Sequence, residues 1–436
     1  MNSSRFSRAQ APVWALICPF ILTCLFCLLT LPTQAGDWPQ INGPTRDGHA
    51  AKDEKAVDPA KAPSLSWKHP VGEGFAGPIV SGDACYVFHR KDRQEVLQIL
   101  DRKTGAIRHE TAFACTYRGG VNSDRGPRCV PIVQSKQVFL FGASGELHAV
   151  DATTGKAQWS RNAYGDYKGQ EGYFGAGATP IVVGDLVLVN VGGRGGAGVV
   201  AFDTATGKTR WKTGDERASY SSPVRFSMPS QAAKSATSAG DQVIFITRMN
   251  CLALNATDGS PLFRIPFGKS GATVNAAMPL VVGDRLFLSS SYGVGARWID
   301  LEATKTADAS LWSNDETLSS QYASAVHIDG RLYGTHGRED IGVADFRCVD
   351  AASAKILQEE TGFGMSHIIV LEKKQLLILQ LDGTLKIAEV TPTGFTMQAS
   401  HSLAKGLTRS MPAYANRQVL LRNNEGDDSE LFCWEF

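Results

Sequence analysis

Nine side chains are the candidates for binding chemistry: Arg125, Arg128, Tyr173, Phe174, Tyr220, Arg225, Tyr322, His367 and Arg409. Each falls just before, or at the start of, a short apolar stretch. Guanidinium groups fork onto carboxylates and phosphates, and aromatic faces attract cations. Brought together at the mouth of a channel, such groups would hold an anionic or sugar-like ligand. The competing reading is structural, with the aromatics packing a core and the arginines satisfying backbone carbonyls.

Other motifs carry less. Gly193-Arg194-Gly195-Gly196-Ala197-Gly198 has the spacing of a dinucleotide loop. An apolar strand follows it where a phosphate site needs a helix N-terminus, so it reads as a hairpin loop. The acidic run 423–430 misses the spacing of a calcium loop and reads as a solvated tip. His336-Gly337-Arg338-Glu339-Asp340 reads as a charged hairpin tip before it reads as a metal site. Neither H-E-x-x-H nor G-x-S-x-G occurs. Cys85, Cys115, Cys129, Cys251, Cys348 and Cys433 follow residue 35, and none makes a C-x-x-C pair, which leaves a structural zinc site unsupported. Cys115 and Cys129 flank one loop and are the best candidates for a disulfide. The other cysteines read as small apolar strand residues.

The elements that position these groups are written in a repeat. Residues 149–159 read Ala-Val-Asp-Ala-Thr-Thr-Gly-Lys-Ala-Gln-Trp, and residues 201–211 read Ala-Phe-Asp-Thr-Ala-Thr-Gly-Lys-Thr-Arg-Trp. The frame is therefore Asp151, Gly155, Trp159 and again Asp203, Gly207, Trp211. Weaker copies place Asp101 before His109, Asn255 and Gly259 before Phe263, Asp300 before Trp312, and Asp350 before Gln358. Physically this is a hairpin. An apolar pair ends one strand, the Asp or Asn side chain bonds the backbone two residues on, and Gly supplies a positive φ. A bulky residue eight positions after the Asp then lies on the next strand. Successive Asp or Asn positions are 50, 52, 52, 45 and 50 residues apart, a strand-bearing period that indicates a propeller.

Each unit opens with a small or Pro residue before an apolar strand: Pro78, Pro131, Pro180, Pro223, Pro279, Ser324, Ser366 and Pro412. Eight units follow, the last two with eroded turns. Gly82-Asp83, Gly184-Asp185, Gly283-Asp284 and Asp329-Gly330 mark first hairpins. Unit four carries a Ser/Ala-rich insertion over residues 227–240 that reads as a surface loop. The strand holding Trp67 lacks an Asp-turn of its own, and three strands near the C-terminus lack a fourth. Trp67 is expected to complete that last sheet, closing the ring and removing exposed strand edges. No helix longer than a turn or two is expected.

On these residues the chain resembles the PQQ-type (pyrroloquinoline quinone) β-propeller repeat family. The Asp151–Trp159 and Asp203–Trp211 frames match that family's repeat, and the resemblance covers residues 64–436. The opening Trp38-Pro39-Gln40, Gly43-Pro44 and Arg46-Asp47-Gly48 is similar to the start of secreted bacterial members. The resemblance implies an all-β, eight-bladed propeller of four-stranded blades, each Trp docking one blade onto the next. It also implies one of two functions. Quinoprotein alcohol and sugar dehydrogenases hold pyrroloquinoline quinone and Ca²⁺ in the central funnel. Others are non-catalytic scaffolds, such as the propeller lipoprotein of the outer-membrane barrel-assembly machinery. Many of the dehydrogenases carry an adjacent Cys-Cys pair, and haem-bearing ones a Cys-x-x-Cys-His site. Neither is present here, and no calcium-ligating set can be matched.

The N-terminus bounds the setting. Arg5 and Arg8 precede an uncharged apolar run over residues 13–31, and Thr33-Gln34-Ala35 offers a small-residue cleavage site, so residues 1–35 read as a signal peptide. The run is long enough that an uncleaved membrane anchor is the alternative. Residues 36–63 read as an extended segment and linker, and residues 64–436 as the propeller. The 436-residue chain has 44 Lys and Arg against 43 Asp and Glu. That balance argues against nucleic acid as a partner, which needs a basic face. The sequence thus points to an exported, periplasmic or secreted propeller without cofactor, binding a protein or an anionic or sugar-like ligand. A dehydrogenase dependent on pyrroloquinoline quinone and Ca²⁺ is the alternative.

Overall fold

The computed structural model describes residues 36–228, 241–304 and 309–436. The signal-peptide reading of residues 1–35, and nearly all of the unit-four insertion, lie outside the described residues. Among the described residues, eight four-stranded antiparallel sheets form a β-propeller. Seven blades are built from consecutive strands. The eighth joins Ser64–Pro70 to Glu430–Glu435, Gln418–Arg422 and Ala413–Ala415. Trp67 faces Cys433 and Lys68 faces Phe432, as the closure expected from the sequence requires. Ala163–Tyr167 is the one α-helix among the described residues.

Burial follows position in the blade. The second and third strands are sandwiched between neighbouring blades and read as continuous apolar runs; Leu186–Asn190 is buried throughout. The outer strands alternate, as Ile107–Ala114 does, because only one face packs. Antiparallel order also divides the ring into two ends. First-to-second hairpins and Asp-turns lie at one end. Second-to-third hairpins and the crossovers to the next blade lie at the other.

The repeat motif is an inter-blade joint. In blade one, Asp101 Oδ1 accepts the Thr104 N–H and hydroxyl, each at 2.9 Å, and Asp151 and Asp203 do the same in their own turns. The locked turn presents a carbonyl and a bare glycine to the preceding blade. Trp159 Nε1 donates to Thr204 O at 2.8 Å, Trp211 to Ala256 O at 2.9 Å, Trp312 to Ala351 O at 2.8 Å, and Trp67 to Arg102 O at 2.8 Å. The indole covers the turn glycine so closely that a Cβ on Gly207 would lie 2.7 Å from the Trp159 ring. In blade six Ala354 stands at the glycine position with φ of 60°.

Residues 36–63 are more than a linker. They belong to the same compact unit as the ring and enter the channel from the Asp-turn end. Trp38 is buried and pairs with Val80 through two 2.9 Å bonds. Arg46, also buried, donates to Pro223 O at 2.8 Å, Pro180 O at 2.5 Å and Gln40 Oε1 at 2.7 Å. Gly48 and Ala50 then pair with Val370. Of the stretch read as surface linker, Glu54 and Val57 are buried anchors, bonded to Asn416 and Gln375. The proposed Cys115–Cys129 disulfide is a correction: both thiols are free. Cys115 packs with Tyr117 and Ala143 and bonds Ser144, whereas Cys129 is buried in the separate core of blades two and three.

Two substitutions test the joint by urea unfolding. Ala354→Gly relieves a left-handed alanine and raises stability by about 1 kcal/mol. Gly207→Ala imposes that strain and presses on Trp159, and lowers stability by more than about 2 kcal/mol.

Candidate functional site

At the crossover end the channel opens into an axial cavity of about 140 Å³. Its floor is Ile41, carried by the N-terminal segment, beside Met278 and Met411. Five of the nine sequence candidates line it: Arg128, Tyr220, Tyr322, His367 and Arg409. Tyr173 and Phe174 stand next to it. Their backbone N–H groups donate to the Tyr220 hydroxyl at 2.8 and 3.0 Å, and the Phe174 ring meets Tyr220 edge-on at 5.4 Å. Arg125 lies on the same loop as Arg128 but turns to Glu73, which it grips with Nε, Nη2 and its backbone N–H. Arg225 is apart from the rest. It lies two residues beyond Pro223, whose carbonyl Arg46 holds, and donates to Val182 O at 2.5 Å.

The polar groups around this cavity are occupied with one another. Arg409 Nη2 donates to Glu339 Oε1 at 2.5 Å, and the Tyr322 hydroxyl donates to Glu339 Oε2 at 2.6 Å. The Arg409 guanidinium lies 5.1 Å from the Phe75 ring and 5.9 Å from that of Tyr322. His367 Nε2 donates to Arg409 O at 2.9 Å, and burial lowers the imidazole's pKa, so the ring is a neutral, committed donor. Burial, with the charge of Glu339, pushes the Tyr322 phenol well above its ordinary value and keeps it protonated. Arg128 donates to Asp124 O at 2.6 Å and sits between the Phe75 and Tyr117 rings. Beneath the floor, burial and then the charge of Arg225 lower the Arg46 pKa to about 9. This is a cross-braced wall. Of the carboxylates that flank it, Glu339 is tied to a cation and a phenol and Glu73 to Arg125, rather than poised as a base.

Glu339, Phe75, Glu73 and Ile41 escape sequence reasoning. Glu339 lies within a stretch that reads as a charged hairpin tip, and Arg409 is 70 residues away. The Trp38 to Gly48 motif was the available signal for Ile41, but it gives no sign of where the segment docks.

A family model described as outer membrane protein assembly factor BamB matches residues 53–227 and 122–359. The quinohemoprotein alcohol dehydrogenase ADH-IIG of Pseudomonas putida is 31% identical over 159 residues, 34% of this chain. The match spans 20% of that relative's own length. Among solved structures, BamB from Moraxella catarrhalis superposes with a TM-score of 0.60 at 16% identity, covering 86% of this chain and 98% of that one. A europium-containing methanol dehydrogenase superposes with a TM-score of 0.69 at 13% identity, covering 92% and 98%. At those identities the structural likeness is one of fold.

The residues present do not fit pyrroloquinoline quinone with Ca²⁺. A tricyclic tricarboxylate needs a site in the usual ligand range of about 300–1,000 Å³, and the axial cavity is about 140 Å³. Glu339 and Glu73, the carboxylates beside it, are bound to arginines. Among the described residues no group of three His, Cys, Asp or Glu side chains comes together to hold a metal.

One buried carboxyl at this end has an unusual titration. Glu95 is 1% exposed and accepts the Ala143 N–H at 2.8 Å. Burial raises its pKa from 4.5 to about 7, against the lowering effect of that bond. The folded protein therefore holds this proton to higher pH than the unfolded chain does. The stability it contributes is full below about pH 4.5 and is lost as pH rises to about 7, on the order of 3 kcal/mol in all. Denaturation across pH 4.5–8 checks this: relative to wild type, Glu95→Gln gains stability progressively over that window.

Proposed function

The chain belongs to the propeller family described as outer membrane protein assembly factor BamB, and from that membership we propose a non-catalytic role. It is a binding or scaffold module, exported to the periplasm or beyond, that docks a protein partner through the crossover end of the ring. The distribution of exposed apolar side chains carries this reading. Val121, Tyr173, Met249, Ile341 and Val343 are all exposed. Each sits in a crossover loop or a second-to-third hairpin. Val121 and Tyr173 are fastened together, with the Val121 N–H donating to Tyr173 O at 3.0 Å. The other large exposed apolar residues described, Leu65, Ile107, Leu311 and Ile356, are scattered over outer strands. Single exposed residues need no explanation, but a grouping at one end of a ring does. Aromatic, Met and Arg side chains are also what interface cores favour.

Export rests on Arg5, Arg8 and the apolar run that follows them. The segment match to a quinohemoprotein dehydrogenase favours the second reading, a pyrroloquinoline quinone- and Ca²⁺-dependent oxidation of an alcohol or sugar. The small, braced cavity weighs against it.

Photo-crosslinking in cells separates the possibilities. A crosslinker at Val121 or Tyr173 is expected to give one discrete adduct, and one at Leu311 none. Adducts from Leu311 alone would move the interface to the blade edges. Dye reduction by the purified chain, on adding pyrroloquinoline quinone, Ca²⁺ and an alcohol, would overturn the non-catalytic assignment.

A further inference from the structure

A second cavity, of about 500 Å³, opens off the ring axis between the second-to-third hairpins of blades five and six. Unlike the axial cavity, it falls within the usual volume range of small-ligand sites. Its base is built of donors. Ser319 is 2% exposed, and its hydroxyl has no hydrogen-bond partner among the described residues. His336 Nδ1 accepts the Ser319 N–H at 3.1 Å. Burial, then the charge of Arg347, lowers the His336 pKa. The ring is thus neutral, with its proton on Nε2 as a further donor.

Two cations flank these donors. Arg338 stacks 4.3 Å from the Tyr292 ring centroid, which fixes its plane, and is held by Asp340 in a two-bond ion pair, Nε at 2.9 Å and Nη2 at 2.5 Å. Lys269 Nζ has no ion-pair partner among the described residues. It points to the space a side chain on Gly293 would fill, 2.8 Å from that Cβ position. Gly293 has φ of +73°, which keeps that space open by disfavouring any other residue. The rim is apolar, formed by Ile341 at 60% and Val343 at 52% exposure. Asp315 also lines the cleft, exposed to water, its Oδ2 3.9 Å from the same Gly293 Cβ position. Its charge opposes anions there and restricts the cleft to a single negative charge received by the donors and cations together.

We propose that this cleft binds a small organic monocarboxylate with an apolar body. The carboxylate is received by Ser319, His336, Arg338 and Lys269, and the body lies against Ile341 and Val343. The site needs no protein partner, so a failed titration leaves the docking reading untouched.

Calorimetric titration of the purified full chain with hydrocinnamate, against its neutral amide as control, tests the assignment. Saturable binding of the acid is expected, with the amide weaker by about tenfold or more, the usual scale for a charge-assisted bond. Lys269→Ala, at an exposed position that leaves the fold intact, and Arg338→Ala are each expected to weaken the acid by about tenfold. Arg125→Ala, on the loop that carries Arg128 and far from this cleft in the ring, leaves it unchanged. Equal affinity for acid and amide, wild-type affinity in Lys269→Ala, or no saturable binding of the acid would each overturn it.

Discussion

The ring depends on one joint: an indole N–H bonded to the carbonyl after a turn aspartate, with the indole lying on a left-handed glycine. It is an inter-blade contact written entirely in local sequence. The Asp side chain freezes the turn, the frozen turn points its carbonyl backwards, and the glycine leaves room for the ring. Where tryptophan is missing the contact is rebuilt from other parts. His109 lies against Gly155 while Thr111 donates to the Gly155 carbonyl, and Gln358 accepts the Phe395 N–H at 2.8 Å. Each blade therefore stabilises its neighbour, and a ring has no terminal blade to fray. Trp67 extends this across the chain ends, because it both completes the last sheet and docks onto the first turn.

This explains which parts were legible in the sequence. The repeat Asp151 to Trp159 is contained in one hairpin, so its meaning survives without knowledge of the fold. Trp67 could be assigned by counting, since one strand lacked a sheet and one sheet lacked a strand. The axial segment was opaque for a different reason. Arg46 binds the carbonyls of Pro180 and Pro223, and carbonyls carry no residue identity. The candidate site was half legible. Position in the repeat placed Tyr322, His367 and Arg409 at the channel mouth. Their partner Glu339 sits on a hairpin whose charged composition looks the same whether solvated or braced. Arg225, at the matching place in its own blade, is instead drawn to the neighbouring blade's Val182 carbonyl.

The two ends of the ring are under unequal constraint. At the Asp-turn end, turn length and geometry are fixed by the joint, and the N-terminal segment covers much of the channel. Change there disturbs a neighbouring blade. At the other end the hairpins meet no equivalent requirement, so they differ from blade to blade in length and composition. Residues 191–198 loop out with five glycines, while residues 338–343 present a charged and apolar tip. Function is expected to settle where the fold leaves sequence free, and the exposed apolar residues do gather there. The axial cavity has gone the other way, its arginines bound to carboxylates and carbonyls, its floor filled by Ile41.

One hairpin ties these regions together. The tip beginning at Arg338 sends Glu339 to the axial wall, where it holds both Arg409 and Tyr322. It sends His336 and Arg338 to the cleft with blade five, and leaves Ile341 and Val343 in solvent. The Glu339 N–H also donates to Gln321 Oε1 at 2.8 Å, and Gln321 Nε2 donates to the Tyr292 hydroxyl across the cleft at 2.8 Å. Axis, cleft and exposed rim thus share a few backbone atoms. Arg338 is fixed by Tyr292 and Asp340, and the next residue along the chain, Glu339, is fixed by Arg409 and Tyr322. Cross-bracing of the axial wall is, on this view, what lets a short surface hairpin hold its side chains in a fixed arrangement without a ligand of its own at the axis.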